Sequence, residues 1–185
     1  MVLAERASDI GEAERPAAFL DRDGVINVDH GYSFRPEELV LTPTAAAGIR
    51  LLNESGYLVI VVTNQSGVAR GLYGEEDVHR YHAHLADRLA TEGARIDAFY
   101  HAPYHPDGSV ERFAIEHEDR KPGAGMLRAA MRDWPIRRAG SFLIGDKPSD
   151  EAAATRAGLP ACLIPANTGD LLAAAREMLA LHKDP

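Results

Sequence analysis

The stretch from Phe19 to Tyr32, FLDRDGVINVDHGY, runs from an apolar segment into a polar loop, and the change falls on two aspartates, Asp21 and Asp23. An apolar run that stops at paired carboxylates reads as a buried strand ending at the rim of a sheet, where open parallel sheets bind their ligands. Gly24 lets the chain turn away sharply, leaving Asp23 near whatever occupies that rim. AAFL at 17–20 is the first of five such apolar runs, followed by YLVIVV at 57–62, AFY at 98–100, SFLIG at 141–145 and ACLI at 161–164. The second and fourth are continuous rather than alternating, as expected of strands buried on both faces.

Helical spacing fills most of the intervals. Thr42 and Pro43 are expected to cap and start a helix with Ile49 and Leu52 facing inward and Gly56 as its stop. Glu75, Glu76 and Asp77 open the next, favourably for the helix dipole, and Val78, Tyr81, Leu85 and Leu89 keep helical spacing before Gly93. Met126, Leu127, Ala130, Met131 and Trp134 make a third stripe. Ser149 and Gly158 bracket a short alanine-rich helix, and Thr168 begins the last. Strands alternating with helices specify an α/β domain: a single doubly wound, mostly parallel sheet with helices on both faces. It is expected over residues 17–185, after a mobile N-terminal arm over 1–16. The stretch 101–122 is non-periodic, and compact domains seldom carry so long a loop without a use for it.

Bulk properties narrow the function. The 185 residues suit one domain, and 45% apolar with 26% charged residues is an ordinary globular balance. A net charge of −8 argues against a nucleic-acid binder, though not against a small phosphorylated ligand held by a few local donors. Cys162, the single cysteine, rules out an internal disulfide, fits a reducing compartment and reads as a small buried hydrophobe. Residues 1–16 lack the apolar core of a signal peptide, and no run approaches the length of a membrane span. A cytoplasmic protein with no membrane partner, acting as a monomer, is the expectation.

The residues just past the apolar runs carry the chemistry. The first run delivers Asp21 and Asp23, the second Thr63 and Asn64 in TNQSG, and the fourth Asp146 and Lys147 in GDKPSD; the long loop ends in DRKPGAG with Arg120 and Lys121. Clustered carboxylates repel unless a divalent cation joins them, and oxygen ligands at an open site suit magnesium. One carboxylate can act as a nucleophile through an acyl-phosphate, and an acid two residues along can protonate the leaving oxygen and later activate water. The Thr63 hydroxyl and the Lys121 ammonium would stabilise charge on a transferred phosphoryl group. A lone D-x-D, GD or TN is an ordinary loop signal. Four of them in order, each after its own apolar run, are much harder to attribute to turns.

With DRDG, TNQSG, RKP and GDKPSD in that order, the sequence resembles the haloacid dehalogenase-superfamily (HAD) phosphatases. Within them it is most similar to the D-glycero-D-manno-heptose 1,7-bisphosphate 7-phosphatases, and more distantly to the histidinol-phosphate phosphatases, over about residues 17–170. The resemblance implies a HAD-like fold. It also implies a magnesium-dependent phosphomonoesterase acting on a small phosphorylated sugar, in the making of heptose for bacterial surface polysaccharides. Asp21 would be the nucleophile and Asp23 the general acid/base, with Thr63 and Lys121 on the phosphate. Magnesium would be held by Asp21, Asp146 and the backbone carbonyl of Asp23. Sugar contacts are implied for Asp29, His30, Gly31 and Tyr32 in VDHGY, for Asn64, Gln65 and Ser66 in TNQS, and for Arg120; Arg70 in VARG is a candidate substrate-loop residue. The short intervals between motifs leave no room for a separate cap domain, so loops, 101–122 among them, are expected to cover the site.

One departure concerns the third loop, where many of these phosphatases bind structural zinc through cysteines. The corresponding positions here are Ala102, Tyr104, His117 and Asp119, so such a zinc site is not expected. His101, His105, His117 and Asp119 could form a substitute set, hydrogen-bonded loop histidines being the favoured reading. His79, His82 and His84 are expected on a solvated helix face. Two rivals keep their place: histidinol phosphate or a broad range of sugar phosphates as substrate, and a phospho-accepting receiver module that stores rather than turns over the phosphoryl group.

Overall fold

Side chains of a strand point alternately to opposite faces, and in the computed structural model, which describes residues 13–181, the core divides along that alternation. The strands are β1 (Ala17–Leu20), β2 (Leu58–Asn64), β3 (Ala98–Ala102), β4 (Phe142–Gly145) and β5 (Ala161–Leu163). Ala18 and Leu20 of β1, Val59 and Val61 of β2, and Phe142 and Ile144 of β4 face one side. There they meet helices α1 (Ala45–Glu54), α3 (Glu75–Ala90) and α6 (Leu171–Leu181) through Ile49, Leu52, Leu85, Leu89, Leu171 and Met178. Ala17, Phe19, Leu58, Ile60, Val62 and Leu143 face the other side, against α4 (Gly125–Asp133) and α5 (Pro148–Ala157). This is the two-faced burial that continuous apolar strands require.

The sheet is wholly parallel, in the order β3-β2-β1-β4-β5. The chain winds outward from β1 through β2 to β3, then α4 returns it to β4 on the other side of β1. Winding therefore reverses between β1 and β4, which opens a crevice beyond their carboxyl ends. Register fixes what stands there: Leu20 lies between Val61 and Ile144, and the Asp21 N–H donates to the Ile144 carbonyl at 3.0 Å. Asp21, Thr63 and Asp146 thus leave neighbouring strands side by side.

Above the crevice, the segments 21–44 and 103–124 each carry one 3-10 turn, Pro36–Glu38 and Glu111–Phe113, and neither holds a separate domain. A third apolar cluster, built from Val68, Ala69, Tyr73, Val78 and Phe113, ties these loops to α3 and to the short helix α2 (Ser66–Ala69). Phe34 stacks on Tyr73 at 4.6 Å between centroids. Ser109 and Val110 both donate N–H bonds to the Ala69 carbonyl, at 2.8 and 2.9 Å.

Several local expectations shift. Thr42 does not cap α1: its hydroxyl donates to the Val25 carbonyl at 2.7 Å, fastening the post-strand loop, and the helix begins two residues after Pro43. Ser149 lies inside α5, where Asp150 accepts the Lys147 N–H at 3.0 Å. Thr168 closes a turn over 166–168, and α6 is capped by Asp170, which accepts the Ala173 N–H at 3.0 Å. At α5 and α6 a carboxylate accepts the terminal N–H, and at α1 the Thr42 hydroxyl is spent on a distant carbonyl. Of the arm expected over 1–16, residues 1–12 lie outside the described residues; Arg15 forms a parallel bridge to Ile136.

Ile60 is fully buried in β2 beneath α4 and α5. Ile60→Ala is expected to lower the unfolding free energy by about 2–5 kcal/mol, measured by urea denaturation.

Candidate active site

Lys121 is the hub. Its ammonium, buried, lies 2.8 Å from Asp21 Oδ1 and 2.5 Å from Asp150 Oδ1, and donates to the Val62 carbonyl at 2.9 Å. Asn64 sets its backbone: Oδ1 accepts the Lys121 N–H and Nδ2 donates to the Lys121 carbonyl, both at 2.9 Å. The loop ending at Lys121 is thereby locked to the end of β2.

Three carboxylates converge on this point. Asp21, Asp146 and Asp150 each offer an oxygen within 4.8 Å of the other two. Gly24, at φ +89°, makes room: a Cβ there would lie 2.7 Å from Asp146 Oδ2. Both Asp146 oxygens are buried and neither accepts a hydrogen bond from an N–H or a hydroxyl. Three carboxylates against the Lys121 ammonium leave two negative charges uncompensated inside the rim, with Lys147 Nζ at its edge, 3.6 Å from Asp146. Burial pushes the Asp21 carboxyl up to about 7, with Lys121 pulling it down and Asp150 adding to the rise. Burial also raises Asp146. Burial lowers Lys121, but Asp21 and Asp150 together outweigh it and keep its proton more firmly than usual. A divalent cation supplies the two missing charges and partners for the orphaned oxygens, so this donor set fits a hard, oxygen-liking ion.

Asp23 is held differently. Its carboxylate accepts from Arg22 Nε at 3.1 Å and Nη2 at 2.8 Å, from Asn27 Nδ2 at 2.9 Å and from Gln65 Nε2 at 3.0 Å. Arg22 is fully buried, donates also to the Ser33 carbonyl at 2.6 Å and lies over the Tyr81 ring at 4.6 Å. Gln65 bridges Asp23 to the Thr63 hydroxyl at 2.9 Å and accepts from the Tyr73 hydroxyl at 2.8 Å. The carboxylate of Asp23 is thus fixed from three directions and stays outside the three-carboxylate cluster.

These groups line the floor of a cleft of about 760 Å³. Asp21, Asp23, Asp29, Gly31, Tyr32, Thr63, Asn64, Gln65, Ser66, Arg120 and Lys121 border it. His30 is exposed beside Phe34 in a neighbouring depression, and Arg70 stands behind the wall with Nη2 3.2 Å from His105 Nε2. Arg120 donates to the Tyr104 carbonyl at 3.2 Å. Asp150, Arg22 and Glu116 belong to the site or its support although the motifs assign them no role there, and Lys147, named at the end of the fourth run, stands at its edge. Asp150 was legible as the second acid of GDKPSD, four residues after Asp146. Arg22 carried no signal, because a charged residue inside a strand-end motif reads as exposed.

The histidines need correction. His82 is buried and stacked on Phe99 at 4.4 Å, and His79 is half-buried with its ring 5.3 Å from that of His101; of the three helix histidines only His84 is exposed. The face of α3 that carries His79 and His82 is covered by β3. His105 and His117 use Nδ1 to accept the N–H of Asp107 and Asp119, both at 3.1 Å, and His117 stacks on Tyr104 at 3.9 Å. Among the described residues, Asp21, Asp146 and Asp150 are the cluster already closed on a common point.

A family model described as HAD-hydrolase-like matches residues 119–180. The D-glycero-beta-D-manno-heptose-1,7-bisphosphate 7-phosphatase of Rhodopseudomonas palustris is 49% identical, over 79% of this chain and 81% of that one. The D-glycero-alpha-D-manno-heptose-1,7-bisphosphate 7-phosphatase of Burkholderia mallei is 43% identical, over 80% and 78%. Among solved structures, the D,D-heptose 1,7-bisphosphate phosphatase of B. bronchiseptica, complexed with magnesium and phosphate, superposes with a TM-score of 0.72 at 32% identity, covering 92% of this chain and 89% of that one.

Arg22→Met would remove the guanidinium from Asp23 and from the Ser33 carbonyl. A loss of about 3 kcal/mol is expected by urea denaturation, the low end for a broken buried pair because Asp23 keeps two other donors. Arg88→Met, which breaks an exposed pair with Glu92, should cost under about 1 kcal/mol.

Proposed function

The chain belongs to the heptose-1,7-bisphosphate 7-phosphatase family of HAD-like hydrolases, and from that membership we propose that it removes the 7-phosphate of D-glycero-D-manno-heptose 1,7-bisphosphate through a phosphorylated Asp21. The observation that carries the reading is the Lys121–Asp21 contact set against the orphaned oxygens of Asp146.

In this reading Asp21 attacks phosphorus in line, the bond to the sugar oxygen breaks, and Asp23 delivers a proton to that oxygen. Asp23 then takes a proton from water as it attacks the acyl-phosphate, releasing inorganic phosphate and restoring Asp21. Lys121 and the Thr63 hydroxyl stabilise charge on the phosphoryl oxygens, and Asn64 positions Lys121. Mg2+, held by Asp21, Asp146 and the Asp23 carbonyl with Asp150 behind them, would neutralise the carboxylates and the phosphate. Asp29, Gly31, Tyr32, Ser66 and Arg120 border the cleft where the sugar would lie. The net charge of −8 speaks against a nucleic-acid partner and the lone cysteine fits a reducing cytoplasm, where the chain would act as a monomer on a small sugar phosphate. Among the described residues no helix is long and apolar enough to cross a membrane.

A broader sugar-phosphate or histidinol-phosphate activity is the second reading, favoured by the cleft being roofed only by loops. Phosphate release from heptose bisphosphate, histidinol phosphate and a panel of sugar phosphates, each with and without Mg2+, separates the two. Preference for the heptose and dependence on Mg2+ are expected. A hundredfold preference for histidinol phosphate overturns the substrate. Asp21→Asn should leave less than a tenth of the wild-type rate with the fold intact by circular dichroism. Asp23→Asn should cost roughly two to four orders of magnitude in kcat; a neutral result removes it as the acid/base.

A further inference from the structure

Away from the cleft, at the carboxyl end of β3, three imidazoles and a carboxylate are gathered, the imidazole Nε2 atoms without hydrogen-bond partners. Glu75, His79 and His82 fall at i, i+4 and i+7 of α3 and share one face of the helix. His101 of β3 points at that face, as its neighbour two residues back, Phe99, also does. The Nε2 atoms of His79, His82 and His101 are all buried and all lack a hydrogen-bond partner. His82 is 1% exposed, and the His101 side chain 4%.

Buried polar atoms are nearly always satisfied, and these three Nε2 atoms, that of His101 with only the Glu75 carboxylate near it, call for a bound species that satisfies them together. Burial lowers His82 well below the usual imidazole range. Burial, reinforced by His79 and opposed by Glu75, brings His101 down to about 4. Neutral imidazoles are the form that ligates metal. His101 Nε2 stands 3.4 Å from Glu75 Oε1 without hydrogen-bond alignment. That is about the separation of two ligands on a tetrahedral ion with bonds of ~2.0–2.1 Å.

We propose that Glu75, His79, His101 and His82 form a site for a divalent transition-metal ion of the zinc class, distinct from the aspartate cluster of the cleft. As they stand the rings are not closed on one point: those of His79 and His82 lie 5.3 and 6.0 Å from that of His101, both edge-on. Closure needs the His79 and His82 rings to turn about their broad terminal torsion, the His82 ring giving up its stack on Phe99. Mixed nitrogen and oxygen donors select zinc over magnesium, which prefers oxygen and retains water. The ion would pin α3 to the end of β3. From that end departs the segment that carries His105, Glu116 and Arg120 to the cleft.

The test uses the full chain, stripped with a strong chelator and then titrated with Zn2+ and with Co2+ as a spectroscopic probe. The Asp146→Asn variant disables the cleft cluster. It should still take one equivalent of Zn2+ with a Kd tighter than about 1 µM, gain thermal stability with it, and give the intense visible absorption of four-coordinate Co2+. In the same background His79→Gln, half-buried on the helix surface and so expected to fold, and His101→Asn should each weaken Zn2+ binding at least tenfold and abolish that absorption. Zn2+ binding unchanged in His79→Gln, absence of tight Zn2+ binding in Asp146→Asn, or a weak six-coordinate Co2+ spectrum overturns the proposal.

Discussion

Everything in the cleft depends on how three carboxylates share a buried corner with one ammonium. Asp21, Asp146 and Asp150 come from the ends of β1 and β4 and from the first turn of α5, and Lys121 alone among the buried cations of the described residues reaches them. Without compensation that corner would be strongly unfavourable, since buried charge is tolerated only when paired. The fold meets the constraint in two ways. The crossing at β1 and β4 places the acids where a cation can enter from the open side, and the loop ending at Lys121 is locked to β2 by Asn64. The raised pKa of Asp21 is the same constraint seen as proton affinity: burial and Asp150 push against Lys121, and a second source of positive charge restores the carboxylate.

Asp23 shows the opposite solution. It lies two residues from Asp21 yet is kept out of the cluster by Arg22, Asn27 and Gln65. Arg22 turns inward beneath the motif and rests on Tyr81 of α3, so the orientation of Asp23 is coupled to helix packing behind the sheet. Gln65 in turn receives Tyr73, whose ring stacks on Phe34. The loops that roof the cleft and the carboxylate beneath them therefore belong to one packed unit, without an inserted domain.

Some of this was open to a reader of the sequence and some was not. The strands announced themselves because burial on both faces leaves unbroken apolar runs, and their ends announced the acids. Caps were less legible: Thr42 turned to the Val25 carbonyl, and Asp170 displaced Thr168, because a hydroxyl near a helix start has more than one possible acceptor or donor. The polar character of its neighbours points His82 to solvent, whereas β3 covers that face and Phe99 stacks on it. Asn64 and Gln65 read as sugar contacts, but their side chains are taken up by Lys121, Asp23, Thr63 and Tyr73.

The chain's own order of residues determined the alternation of strand and helix, the two-faced sheet, and which side chains stand at strand tips. Those follow from periodicity and from where apolar runs stop, which are local properties. Only the tertiary structure decided that β4 lies beside β1, that Asp150 joins the acids, that Arg22 is interior, and that three imidazoles of α3 and β3 face each other with their Nε2 atoms unpartnered. These depend on pairings between residues far apart along the chain, and no local pattern encodes which distant partner arrives.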